Sequence, residues 1–270
     1  MKARFDADLV IVGSGLAATI AALRASDLGL SVAIVSKGEG ASSWAQGGIV
    51  FPSKINKESF IEDVMQAGCG VNNRAALELL AEEGSELVEK WLIERFEVPF
   101  DKTPEGKFHR TLEAAHSEAR IIHVSDSTGR GLMRPLEAAL KSKAGVLHYA
   151  GSLVDLLITS RHDSRQSQSY APERVCGVYY LDSQSNEVKT LVARAVLIAS
   201  GGFSQIYKHA TGPSYLRGEG IAAAHRAGAR SMNLEYVQFH PTALFIPGQA
   251  RKLLTEALRG AGAKLLNMSL

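Results

Sequence analysis

The sequence predicts an α/β fold built on parallel strands, and three observations carry that prediction. An apolar, β-branched run from Asp8 to Val12 turns through Gly13-Ser14-Gly15 into an alanine-rich helical stretch, Leu16 to Leu28. A second apolar run, Ser31 to Val35, follows at once. Strand, glycine turn, helix and strand make a βαβ unit, whose crossover leaves its two strands parallel. A third run, Arg194 to Ala199, ends in Ser200-Gly201-Gly202 and, like the first, lacks the alternation of a half-exposed strand. Such runs are expected of strands buried on both faces.

The remaining elements follow in chain order. Gly29 stands where a helix from Leu16 ends. Gly38 to Gly48 is rich in Gly, Ser and Ala and reads as a loop. Glu58 to Ala67 and Asn73 to Arg95 read as amphipathic helices, the second with Leu77, Leu80, Leu87, Val88, Trp91 and Leu92 on one face. Thr128 to Lys143 is a helix with Pro135 against its continuity. Strands are expected at Val146 to Tyr149, Leu153 to Ile158, Val175 to Leu181 and Val188 to Val192, with the polar segment Ser160 to Pro172 as a hairpin loop. Gly220 to Ala227 and Leu253 to Lys264 complete the helices. There is no internal repeat and no low-complexity tract.

The chain has 270 residues, 46% of them hydrophobic and 21% charged, which excludes disordered and collagen-like proteins. Thirty basic against 28 acidic residues leave a formal charge of +2, so nothing marks a nucleic-acid partner or an anionic membrane surface. Cys69 and Cys176 stand far apart with no CxxC spacing, as expected in a reducing compartment. Leu9 to Leu23 resembles a signal peptide, but Asp6 and Asp8 occupy the region that should be positive and Gly13-Ser14-Gly15 interrupts the run. It is also too short to span a bilayer. A cytoplasmic protein without membrane segments is expected.

Gly13-x-Gly15-x-x-Ala18 lies directly after a strand and opens a helix. The first glycine permits a tight turn, the second admits a pyrophosphate to the backbone N–H groups, and a small third residue lets helix and strand pack closely. A dinucleotide site is the functional reading; a glycine turn that only packs the helix is the alternative. The acid that holds a ribose hydroxyl at the end of the second strand is absent, since the sequence there is Val35-Ser36-Lys37. Ordinary NAD recognition is thereby disfavoured, while Ser36 can meet a ribose and Lys37 a phosphate or adenine.

Ser42-Ser43-Trp44-Ala45-Gln46-Gly47-Gly48 combines paired glycines with hydroxyl and amide donors and suits a backbone pressed on a flat, polar-edged ligand. Three further segments concentrate donors and cations of the kind that fork onto carboxylates: Glu113 to Arg130, Glu235 to Thr242 and Thr255 to Gly260. Each histidine in them also has a purely structural reading, and Thr128 can cap its helix. The eight histidines form no HxxxH or HExxH pair, so no metal centre is expected. Neither a GxSxG elbow nor a P-loop is present.

Together GSGLAA, SSWAQGG, EAAHSEARIIHVSDSTGR, IASGG, NLEYVQFHPTAL and LLTEALRG resemble the L-aspartate oxidase family of the succinate dehydrogenase and fumarate reductase flavoproteins, over Asp8 to Gly262. The resemblance implies a Rossmann-like FAD-binding domain of the glutathione-reductase type, a parallel sheet plus a β-hairpin element, over residues 1–222. The beginning of an α+β capping domain is implied over 223–270. Succinate dehydrogenases resemble SHTxAAxGG in the flavin loop, with FAD attached to the histidine; Ala41 stands there, so non-covalent FAD is expected. Ala243-Leu244 after the HPT motif also favours the oxidase.

By resemblance, FAD contacts are implied for Gly13, Ser14, Gly15, Leu16 and Ala17, for Lys37, and for Ser42, Ser43, Trp44, Ala45, Gln46, Gly47 and Gly48. Glu219 stands where the family has Asp. His240 and Thr255 match residues that hold substrate carboxylates, and Glu113 matches the acid near the substrate's amino group. The implied reaction oxidises L-aspartate to iminoaspartate, with hydride passing to flavin N5 and reoxidation by oxygen or fumarate. Quinolinate synthase would be the downstream partner in NAD biosynthesis. The family's catalytic arginine and second FAD segment lie beyond the position of Leu270. Weak FAD affinity, little turnover and poor solubility are therefore expected of this polypeptide alone. A catalytically inactive dinucleotide-binding remnant and a fumarate reductase-type flavoprotein acting on unaminated dicarboxylates are the alternatives.

Overall fold

The computed structural model describes residues 5–51, 56–113, 115–162, 170, 172–240, 242–249, 251–254, 258 and 262–267. The chain divides into two compact units. The first comprises 1–42, 136–241 and 245–251, and the second comprises 43–135, 242–244 and 252–270. They cut the chain differently from the boundary expected between residues 222 and 223. Residues 43–135 form a long excursion between the second and third strands of the first unit.

In the first unit β1 (Ala7–Val12), α1 (Leu16–Asp27) and β2 (Val32–Ser36) form the expected βαβ unit, with β1 and β2 parallel in the register Leu9 to Val32. Gly29, at φ +76°, closes the helix end, a conformation that costs little only without a Cβ. Asp8 staples the entry of the two strands: its carboxylate accepts from the Ser31 N–H at 3.0 Å and the Ser31 hydroxyl at 2.8 Å. The acid that argues against a signal peptide therefore has a place in the register.

Four expected strands merge into two. Val146 to Tyr149 and Leu153 to Ile158 are one strand, β6 (Val146–Ile158). Val188 to Val192 and Arg194 to Ala199 are likewise one strand, β8 (Val188–Ile198). The first half of β6 pairs parallel with β2, and its second half pairs antiparallel with β7 (Val175–Asp182). Similarly, β8 runs antiparallel to β7 before it pairs parallel with β1. The order β1-β2-β6-β7-β8 therefore closes on itself, the two long strands serving a parallel layer at one end and an antiparallel one at the other.

Inside the ring lie Val10, Val12, Ala33, Val35, Leu153, Leu156, Val178, Tyr180 and Leu191, each at most 7% exposed. Burying a Val or Leu contributes about 1.5–3 kcal/mol, so this cluster supplies much of the unit's stability. The alternate residues Ile11 and Ile34 are equally buried, and α1 packs along β1 and β2 with Ala18, Ala22 and Leu23 buried. Burial on both faces of β1 and β2 explains their unbroken apolar runs, whereas the parallel half of β8, Arg194–Ile198, is exposed or half-buried, against the burial expected of it. The short helix α6 (Glu219–Arg226) packs on β6 and β8 through Ala223. Between β6 and β7, Thr159–His162 form a helical turn, α5, where a loop was expected; residues 163–169 and 171 lie outside the described residues.

The second unit holds a small antiparallel sheet of β3 (Ile49–Val50), β4 (Arg110–Thr111) and β5 (Ile121–Ile122), with β5 central. It also contains α2 (Lys57–Ala67) and α3 (Arg74–Leu87), the latter capped by Asn73, whose side-chain oxygen accepts from the Ala76 N–H. The helix expected to Arg95 runs on without a break but changes its winding, since Val88–Arg95 is a π-helix. Leu77, Ala81 and Leu92 are buried, whereas Leu80 and Leu87 are more than half exposed, against the expected common face. Helix α4 (Thr128–Lys141) keeps Pro135 within it, and the division between the units falls there. Lys252–Leu253 form a strand, β10, against β9 (Ala243–Leu244), where a helix was expected to start; half of that helix lies outside the described residues.

The turn from β7 to β8 rests on Asp182, whose carboxylate accepts from the N–H groups of Gln184 and Ser185 and from the Lys189 ammonium at 3.0 Å. The Ser185 bond, followed by Lys189, holds its pKa at about 2. The folded value lies below the unfolded one, so this stabilisation is complete above the ordinary 3.8 and is lost as pH falls toward 2. An NMR titration of the Asp182 carboxyl should show a midpoint near 2, and Asp182→Asn should flatten the acid dependence of stability between those values.

Candidate functional site

A cleft of about 260 Å³ opens at the C-terminal ends of the parallel strands of the first unit. In open α/β sheets this is where ligands bind, because the strand ends and helix N-termini converge there. Val12, Gly13 and the start of α1 form one wall, and Val35 to Gly38 form another. Residues 151–153 of β6, the segment Ala199–Gly201 after β8, Tyr215 and Glu219 complete it.

The cleft is shaped by backbone approaches that no side chain would allow. The Gly13 N–H donates to the Val35 carbonyl at 2.9 Å and the Ala199 N–H donates to the Val12 carbonyl at 2.8 Å. A Cβ at Gly13, which has φ +121°, would lie 2.1 Å from the Ala199 oxygen. At Gly40 a Cβ would lie 2.3 Å from the Cα of Gly15, so the loop after β2 presses directly on the turn before α1. The Leu16 N–H is satisfied by the Ser42 hydroxyl at 3.0 Å. Helix α1 has no acidic residue in its first turn and no side-chain cap from its own N-cap residue Gly15. A helix N-terminus in this state favours an anion, and Lys37 adds a positive charge to the same cleft.

This arrangement fits the FAD that the sequence implies. The glycine cradle admits a pyrophosphate to the backbone, and Ser36 and Lys37 occupy the strand end where a ribose and its phosphate lie in dinucleotide sites. Of the expected cofactor residues, the cleft gathers Gly13, Ser14, Gly15, Leu16, Ala17, Lys37, Ser42 and Glu219. Ser43, Trp44, Ala45, Gln46, Gly47 and Gly48 belong to the second unit. There the Ala45 carbonyl accepts from the Gly129 N–H, and Gly48 lies so close to β5 that a Cβ would strike the Ile122 carbonyl.

Glu113, also of the second unit, is half-buried, and its carboxylate accepts from the Gly48 N–H at 3.3 Å. His240 is half-buried in the first unit, and Thr255 lies outside the described residues. Sequence reasoning passed over Gly40, Gly151 and Tyr215 as cleft residues. Gly40 carries a signal in hindsight, a third small residue in a Gly-rich loop, but Tyr215 sits in a segment without pattern.

Near Glu113 lies a polar cluster. Arg120, 2% exposed, donates to Asp63 at 2.7 Å and to the Ser59 hydroxyl at 2.9 Å, and its Nη1 is 3.4 Å from Nδ1 of His116. Burial first, and then the Arg120 charge, lowers the pKa of His116. Among the described residues no group of three or more His, Cys, Asp or Glu side chains is arranged to hold a metal ion.

Gly40→Ala should push the loop off the glycine turn and weaken FAD binding by about tenfold or more, whereas Ser42→Ala, losing one hydrogen bond worth about 1 kcal/mol, should weaken it about fivefold. Flavin fluorescence titration reads both. His116 resists protonation only when folded, so its contribution is complete above the ordinary 6.5 and declines as pH falls below it. His116→Gln should reduce the loss of thermal stability between pH 7 and pH 5.

A family described as FAD binding domain matches residues 8–269 of the chain. L-aspartate oxidase 1 of Ralstonia nicotianae is 37% identical over 270 residues, covering 96% of this chain and 48% of that protein. L-aspartate oxidase of Pseudomonas aeruginosa is 38% identical over 277 residues, covering 98% and 50%. The chain thus spans about half the length of the curated relatives it matches. In fold it is similar to an E. coli quinol fumarate reductase, with a TM-score of 0.81 at 21% identity over 97% of this chain and 43% of that one. No helix among the described residues is long and apolar enough to cross a membrane. A cleft built of glycine backbone at the strand ends, together with a match over nearly the full length, leads to one conclusion: the chain belongs to the FAD binding domain family, and FAD is its cofactor.

Proposed function

We propose that this chain forms the FAD-holding part of an L-aspartate oxidase, which converts L-aspartate to iminoaspartate. The observation that carries the proposal is the cleft at the strand ends, with its glycine approaches at Gly13 and Gly40, in a chain similar over 96–98% of its length to proteins named L-aspartate oxidase. FAD supplies the acceptor for the two electrons removed from the Cα–N bond, and oxygen or fumarate takes them onward.

In this reading the N–H groups at the start of α1 and the Lys37 ammonium take the pyrophosphate, without covalent attachment, since Ala41 offers no nucleophile. Ser42 to Gly48 line the flavin, and Glu219 meets its ribityl hydroxyls. His240 and Thr255 donate to the substrate carboxylates, and Glu113 accepts from its ammonium group. That last contact separates aspartate from succinate, which has no charged group to offer it. The product is an unstable imine, and quinolinate synthase would consume it in the biosynthesis of NAD. Two cysteines 107 positions apart support a cytoplasmic setting.

The test is binding. Protein titrated with FAD should show weak but saturable flavin binding, and L-aspartate should perturb the spectrum of the bound flavin at lower concentration than succinate. Glu113→Gln should remove about tenfold of that preference while FAD remains bound, as expected for losing one charge-assisted hydrogen bond. No saturable flavin binding, or equal response to the two dicarboxylates before the substitution, would overturn the proposal.

A further inference from the structure

The turn that carries Glu113 is held by a buried cation. Arg120 is the largest side chain of the second unit to be almost completely buried, and a guanidinium is costly to desolvate unless its N–H groups are met. Its Nη1 meets Asp63 at 2.7 Å and its Nη2 meets Ser59 at 2.9 Å, both on α2. Glu118 lies 3.9 Å from Nη2, while Nε has no hydrogen-bond partner among the described residues. Asp63 is shared: the same carboxylate oxygen accepts from the Ser117 N–H at 2.8 Å and the Ser117 hydroxyl at 2.9 Å.

The other side of Arg120 faces His116. A guanidinium has only donors, so Nδ1 of His116 is the acceptor and the imidazole proton sits on Nε2. The ring lies parallel to Phe60 of α2, with centroids 6.5 Å apart and planes 10° from parallel. His116 and Ser117 are thus both tied to α2, one through Arg120 and Phe60 and the other through Asp63. The chain immediately before them makes a tight turn: the His116 N–H donates to the Glu113 carbonyl at 3.2 Å, and Ala115 has φ +67°. An alanine in that region costs of order 1–3 kcal/mol and persists only where the surroundings enforce it.

At the start of this turn stands Glu113, with its carboxylate on the Gly48 N–H. We propose that Arg120 and Ser117 are positioning residues: through Asp63 and His116 they anchor the 113–117 turn to α2 and so set where the Glu113 carboxylate stands against the Gly47–Gly48 backbone. The placement follows from the contacts; its consequence for substrate choice rests on the reading of Glu113 given above.

The experiment uses the full chain loaded with FAD and has two readouts. The first is the amide resonance of Gly48, which reports the Glu113 hydrogen bond without any ligand. Glu113→Gln should shift it. Ser117→Ala and Arg120→Lys should shift it in the same direction by a smaller amount, and Ser117→Ala should add nothing when Glu113→Gln is already present. A Gly48 resonance unmoved in both positioning variants would overturn the proposal. Should Arg120→Lys fail to fold, Ser117→Ala decides alone, because it removes only a hydroxyl from an exposed residue.

The second readout is the ratio of L-aspartate to succinate affinity. It should fall about tenfold in Glu113→Gln and about threefold in Ser117→Ala, with FAD retention unchanged in both. A ratio that responds to Glu113→Gln but not to Ser117→Ala overturns the positioning of substrate choice. A ratio that responds to neither variant sinks the reading of Glu113 itself, while the Gly48 resonance still decides whether the turn is anchored as proposed.

Discussion

The first unit depends on one close approach of backbone to backbone. At Gly13 the end of β1 comes so near to the chain leaving β8 that a single added carbon would sit 2.1 Å from the Ala199 oxygen. The same residue donates to the end of β2 and, two positions later, gives way to α1. Three parallel strands and a helix are therefore fixed relative to one another by the absence of a side chain. The cleft at the strand ends follows from this, since its floor is the glycine turn and its walls are the segments converging on it. Gly40 repeats the device from the opposite side and brings Ser42 within reach of the Leu16 N–H.

The closure of the sheet has a different origin. β6 and β8 are each long enough to change partners midway, from a parallel neighbour to the antiparallel β7. Where β6 makes that change, Gly151 lies so near β7 that a Cβ would stand 2.5 Å from the Leu181 carbonyl. A glycine inside a strand marks such an approach. Read locally, Gly151-Ser152 looks like the end of one strand and the start of another, which is why two strands were expected where one continues. β8 was divided at Ala193 for a similar reason. The buried Leu191 and Ala193 give way there to the exposed Arg194 and Ala195, while the backbone runs on. The pattern reports the environment on each side of a residue and is silent about whether the ladder continues.

The candidate site was legible where chemistry is local. Gly13, Gly15, Lys37, Ser42 and Glu219 lie in short motifs whose geometry follows from their neighbours, and all of them meet in the cleft. Less was legible where the contact is between distant segments. Tyr215 packs against Gly38 across 177 positions, a closeness that no motif records. Arg120 and Asp63 are 57 positions apart and belong to different elements, so the buried pair appears only when α2 and the 113–120 segment fold together. The π-helix at Val88–Arg95 is a third case: the periodicity of a helix persists through it, and no local pattern marks the change of winding.

The electrostatics of the cleft bear on which dinucleotide it accepts. An acid at the end of β2 would hold a ribose by accepting from its hydroxyls, as in NAD sites. Here the position is Ser36, followed by Lys37, so that wall of the cleft offers a neutral hydroxyl and a cation. The carboxylate in the cleft comes instead from Glu219, the first residue of α6, behind a left-handed Gly218. Moving the acid from the second strand to a helix beyond β8 leaves the helix N-terminus of α1 and Lys37 free of a competing negative charge from that strand. It also places a hydrogen-bond acceptor on a different wall of the cleft. A ligand matched to this distribution carries its phosphates near β1 and β2 and hydroxyls toward α6. That is the order of groups in FAD, where a ribityl chain lies beyond the pyrophosphate, and it favours FAD over a dinucleotide whose recognition rests on an acid at the end of the second strand.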